Sequence, residues 1–217
     1  FIFVINIPKA KKMAISINII HDDIRATLKD NTSGFVSPED IDRALNNACI
    51  DVLKEVIDEY ESRTSMFGPD QSMLYLYSFT GIASDRTLPN DVFKVAAVFD
   101  NDYEGDLLDY SEFNDRLNSV IIPPSSTRPI ATVYNDGAAK IRILPSSNTH
   151  KIKYWKNPAT CKYGYTESSG NTTFVSGTST NIDFPISHYT RILTKALVYL
   201  APNSKNKDSV ELEQILR

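Results

Sequence analysis

The stretch "DNDYEGDLLDYSE", residues 100–112, carries the densest set of groups able to do chemistry in this sequence. Asp100, Asp102, Glu104 and Gly105 match the opening positions of a calcium loop, whose carboxylates converge on one hard cation. The match fails further on. Its twelfth position is Ser111, with Glu112 one place too late, and its ninth is Leu108. The stretch also follows a strand pattern rather than a helix, so an acidic, solvated turn is expected and no metal.

A second stretch, "KIRILPSSNTHKIKYWKNPA" at 140–159, places the only tryptophan, Trp155, between Tyr154 and Lys156. Aromatic and basic residues interleaved in this way could stack bases and hold phosphates. Lys151 and Lys153 alternate with Ile152 and Tyr154, which sends lysines to one side of a strand and apolar groups to the other. Lysines so placed also keep sheet edges from pairing with neighbours. The acidic residues of 100–109 fall on the same module and cancel the charge, so a building block is the better reading than a nucleic-acid platform.

Other catalytic patterns are missing. His21, His150 and His188 are scattered without metal-ligand spacing. No G-x-S-x-G nucleophile turn occurs, and neither phosphate-cradling glycine motif is present. No catalytic residue, metal or cofactor is therefore expected. The sequons at Asn31 and Asn171 carry no weight without a secretory signal. Cys49 and Cys161 suggest neither a disulfide framework nor a zinc site, which favours a reducing compartment.

The composition fits a globular chain. It has 217 residues, 41% of them hydrophobic and 23% charged, with a net charge of −4. That balance lacks the positive field that binding to phosphate backbones needs. The apolar run Phe1–Ile7 is too short to span a bilayer, and its basic residues follow it rather than precede it. The expectation is that residues 1–12 form an upstream extension or N-terminal arm, with synthesis starting at Met13.

The elements that would position these residues read as α+β. "SPEDIDRALNNACIDVLKEVIDEYES" opens with a Ser37 cap, Pro38, and acidic Glu39 and Asp40. Ile41, Ala44, Leu45, Ala48, Val52, Val56 and Tyr60 then repeat at helical spacing. A shorter helix over "DDIRATLKDN" is expected to pack antiparallel to it. Strands follow in "LYLYSFTGIA" and "LPNDVFKVAAVFDND", the latter with Phe93, Val95 and Ala97 on one face and Val92, Lys94, Ala96 and Val98 on the other. "DYSEFNDRLNS" reads as a short helix. Asn135-Asp136-Gly137 turns a hairpin between Ala131–Tyr134 and Lys140–Leu144, continued by "HKIKYWKNPA" at 150–159 as at least a three-stranded meander. Residues 161–181, rich in Ser, Thr and Gly, are expected to form a mobile loop or an exposed hairpin. Helical spacing resumes at Ile186, Tyr189, Ile192, Leu193, Ala196 and Leu200. The expected layout is a helical bundle from 13–66 and 183–202, an inserted antiparallel β-module at 67–182, and a tail at 203–217. In the tail, Val210, Leu212, Ile215 and Leu216 could fold back on the bundle or dock on another subunit.

The order of "LPNDVFKVAAVF", "YSEFNDRLNS", "PIATVYNDGAAKIRILPSSNTHKIKYWKNPA" and "IDFPISHYTRILTKALVYL" resembles head-to-tail connector proteins of short-tailed bacteriophages. The tail tubular protein A type is the nearest match, with neck ring proteins of crAss-like phages as relatives. The resemblance covers roughly residues 35–200 in architecture. It implies a non-enzymatic virion protein, made in the bacterial host cytoplasm and built into a dodecameric ring below the portal. Its implied partners are copies of itself, the portal protein, other neck or tail rings, and genomic DNA passing through the channel without sequence-specific binding; no membrane is involved. It also implies that Val210, Leu212, Ile215 and Leu216 dock on the portal or on an adjacent subunit; the 161–181 segment, with Tyr163, Tyr165 and Phe174, is expected either to stay mobile or to reach a neighbouring ring. A cytosolic, non-enzymatic binding or regulatory module is the alternative.

Overall fold

The structure is a computed structural model, describing residues 14–28, 36–62, 72–79, 83–146, 149–169 and 171–201. In chain order its elements are β1 (Ala14–Ile15), α1 (Ile17–Thr27), α2 (Pro38–Ser62), β2 (Leu74–Ser78), β3 (Asp85–Thr87), β4 (Val92–Asp100) and β5 (Tyr103–Leu107). Then come α3 (Tyr110–Leu117), β6 (Ile130–Asn135), β7 (Ala139–Leu144), β8 (His150–Lys156), β9 (Tyr165–Ser168), β10 (Asn171–Phe174), β11 (Ile182–Pro185) and α4 (Tyr189–Leu200). The α+β class and the helices at both ends are as the sequence indicates. The chain divides into two compact units, residues 71–157 and the remainder.

In the helical unit, Ser37 Oγ accepts the Asp40 N–H at 3.1 Å while donating to the Asp40 carboxylate at 2.9 Å, which fixes the start of α2. Ile41, Ala44, Leu45, Ala48, Val52, Leu53 and Val56 are buried along one stripe. The main partner of α2 is α4 rather than α1. Asp51, Glu55 and Glu59, four residues apart, meet Tyr199, Lys195 and Arg191 in the reverse order, so the two helices run antiparallel. Lys195 Nζ lies 2.6 Å from Glu55. The α1 helix lacks a side-chain cap of its own, and Asn181 Oδ1 accepts the Ile17 N–H at 3.1 Å instead. Beside it, β1 pairs with β11, a strand placed where the sequence suggested only helix.

The other unit is a seven-stranded sheet in the order β2-β8-β4-β5-β6-β7-β3. It curls enough for Phe79 and Leu88, flanking opposite edge strands, to share one core with Val95, Val98, Ile141, Ile143, Ile152 and Tyr154. The expected hairpin is present between β6 and β7, with Gly137 at φ 71°, a backbone region where a side chain is strained. The meander is not. Strand β3 occupies the outer side of β7, and β8 pairs instead with β2 and β4, so it is an interior strand. Its lysines therefore do not guard an edge. The sheet is mixed rather than purely antiparallel, because α3 carries the chain across and brings β6 parallel to β5. The faces of β4 also depart from strict alternation. Register shifts between Val92 and Lys94 and between Val95 and Ala97 leave Phe93 exposed and put Val95 and Val98 in the same core.

The unit boundary corrects the expected domain limits. Residues 158–182 group with the helices, not with the sheet.

Candidate interaction surface

Of the two forms the sequence allows for 161–181, the structure has the hairpin, β9 paired with β10, and the base of the segment is pinned to α2. Asn46 Oδ1 accepts the Cys161 N–H at 2.9 Å and its Nδ2 donates to the Cys161 carbonyl at 3.1 Å, so one side chain pairs with both polar groups of that residue. Asp42 accepts the Tyr163 N–H on both carboxylate oxygens at 3.0 Å, and its Oδ1 lies 2.9 Å from His21 Nε2. His21 stacks on Tyr163 with ring centroids 4.2 Å apart. Gly164 passes so close to Thr178 and Val175 that a Cβ would stand 2.1 Å from Thr178 Oγ1 and 2.8 Å from the Val175 carbonyl oxygen.

These contacts decide the fate of the three aromatic candidates. Tyr163 is only 5% exposed and cannot reach a neighbouring ring, because His21 and Phe174 cover it. Phe174 is half-buried, 5.1 Å from the Tyr163 ring. Tyr165, also half-buried, donates its hydroxyl to Glu39, which pushes the phenol up to about 12. Thr166–Ser169 at the hairpin tip and Ser176–Thr178 beyond it are exposed. The tail residues Val210, Leu212, Ile215 and Leu216, and the arm at residues 1–12, lie outside the described residues.

The groups that suggested chemistry are separated. The Asp100 side chain is buried, whereas Asp102 stands out in solvent on the tight turn to β5, so the two do not converge. Among the described residues no cluster of His, Cys, Asp and Glu is placed to hold a metal ion. Burial pushes the Cys49 thiol up to about 12 and raises that of Cys161 as well, so neither offers a thiolate. In the aromatic run, Tyr154 and Trp155 are both buried, and Lys153 lies over the Phe99 ring at 5.0 Å rather than flanking an open stacking platform.

A different surface stands out, and the sequence reading passed over it. Helix α3 is capped by Asp109, which accepts the Glu112 N–H at 2.8 Å. Tyr110, Phe113 and Leu117 share one helical stripe, yet only Phe113 is buried, so the apolar edge continues into solvent. Immediately beyond the helix come Val120 and Ile121, 95% and 91% exposed, and Ile122. The turn is ordered. Ser119 Oγ accepts the Ile122 N–H at 3.1 Å, and Ser125 and Arg128 close the following turn through paired backbone hydrogen bonds. Leaving such side chains in water forgoes about 1.5–3 kcal/mol each. Contiguous exposed apolar side chains of this kind mark interaction surfaces. The available signal was three consecutive β-branched residues between a helix end and Pro123-Pro124, too short to read as an element.

Among the described residues no helix is long and apolar enough to cross a membrane. No protein-family model matches this sequence, and no curated protein matches it.

Proposed function

We propose that this chain is a structural, non-enzymatic subunit of a phage head-to-tail connector, assembling as a ring around the DNA exit channel between capsid and tail. The observation that carries the reading is the ordered apolar ridge of α3 and Val120–Ile122, which holds the two most exposed large apolar side chains of the described residues, Val120 and Ile121. The order of the helices and the inserted sheet supports it through the resemblance described above. The net charge of −4 fits a channel wall that lets DNA pass, since affinity for phosphates grows with each cation beside them. Copies of the chain, the portal protein and adjoining rings are its partners in this reading, and the virion is its location.

The test is direct. Negative-stain microscopy of the purified full chain should show closed rings, and gold-labelled antibody should decorate the head-tail vertex of particles. A chain that stays monomeric and is absent from particles returns the protein to the binding-module class.

A further inference from the structure

The ridge has a sign as well as a shape. Glu112 and Asp115 are exposed on α3 beside Tyr110 and Leu117. Two ridges set face to face would bring these carboxylates together, which disfavours a symmetric contact. The fitting surface is therefore apolar with cations. The sheet unit itself carries one. On edge strand β2, Leu76 is 62% exposed and stands directly opposite Lys153 of β8, which is also exposed. Phe93 and Lys94 are exposed on β4. Among the described residues neither surface is covered within one copy.

We infer that the ridge of one copy docks on the Leu76–Lys153 face of the next, a head-to-tail contact between two different surfaces of the same chain. Such a contact leaves each copy with one surface still to satisfy. It therefore propagates, and closes into a ring when the rotation permits. The inference rests on the connector reading for closure, but the contact itself does not.

The experiment mixes two single-cysteine variants of the full chain, Ile121→Cys carrying an affinity tag and Leu76→Cys without one, and adds a short bismaleimide. The native Cys49 and Cys161 are buried and do not compete. A covalent heterodimer is expected from the mixture and none from either variant alone. Reversing charge with Glu112→Lys and Asp115→Lys should abolish the product, and adding Lys153→Glu to the partner should restore it. Cross-linking of Ile121→Cys to itself, or no heterodimer at all, overturns the inference, as does partition of the wild-type ridge into phosphatidylcholine vesicles in place of self-contact. Rings in the microscope without this cross-link would leave the connector reading standing and remove the assigned interface. The cross-link without rings would do the reverse.

Discussion

Replacing Asn46 with leucine tests whether residues 158–181 belong to the helical unit. The amide of Asn46 is the partner of both the N–H and the C=O of Cys161, a buried residue. Leucine has the same branched outline in a somewhat larger side chain and no polar atoms, so Asn46→Leu strands both groups. A lost hydrogen bond costs about 0.5–1.5 kcal/mol net, and a polar group left buried without a partner about 1–3. Two such groups give a loss of about 2–4 kcal/mol. Leucine is the better helix former by roughly half a kcal/mol, which offsets a little of this. The third bond, from Nδ2 to the Asp42 carbonyl at 2.8 Å, lies within the helix and adds little. Asn47 is the control, since it is the same residue type at the next, exposed position. Asn47→Leu should change stability by no more than about 0.5 kcal/mol. Urea unfolding followed by circular dichroism reads the difference as a lower midpoint at an unchanged slope. Hydrogen exchange should localise it, with the Cys161 and Tyr163 amides losing protection first. If Asn46→Leu matches Asn47→Leu in midpoint and leaves Cys161 exchange unchanged, the pinning argument is wrong.

Gly164→Ala should lower the urea midpoint clearly, since its Cβ meets the Val175 carbonyl at 2.8 Å and backbone must move; an unchanged midpoint would mean the segment yields freely. Trp155→Ala should cost about 3–5 kcal/mol and leave fluorescence anisotropy titrations with single-stranded DNA unchanged from wild type; binding by wild type that the variant loses would revive the stacking platform. His150 is buried, donates Nε2–H to the Pro145 carbonyl at 2.9 Å, and faces Asp100 at 3.9 Å, with the Arg86 charge also acting on it. Burial, the largest influence, holds its imidazole below 6.5 in the folded chain, with Arg86 acting the same way and the carbonyl and Asp100 opposing. The unfolded chain therefore binds the proton first as pH falls through about 6.5, so stability is full above that value and declines below it. His150→Gln should flatten that part of the stability profile; a slope identical to wild type would place the titration elsewhere.

Local rules were enough for part of this architecture. The Ser37-Pro38-Glu39-Asp40 start and a stripe of buried positions specify α2, because a helix satisfies its own backbone and exposes one periodic face. The Asn135–Gly137 turn specifies the β6–β7 hairpin in the same way, through backbone conformations that glycine alone adopts cheaply. The antiparallel match of Asp51, Glu55 and Glu59 with Tyr199, Lys195 and Arg191 was not legible, because spacing along one helix does not name the helix beside it. Tertiary structure decided what depends on residues distant in sequence. Period-two alternation says which side chains share a face but not which strand lies alongside, so the interior place of β8 and the burial of Trp155 followed only from the pairing with β2 and β4. The segment 161–181 is polar in composition, and its order comes from Asn46, Asp42 and His21, each more than a hundred residues away. The exposed ridge depends on the same distinction. Sequence shows that Val120, Ile121 and Ile122 are apolar, and only the packed fold determines that, among the described residues, none covers Val120 and Ile121.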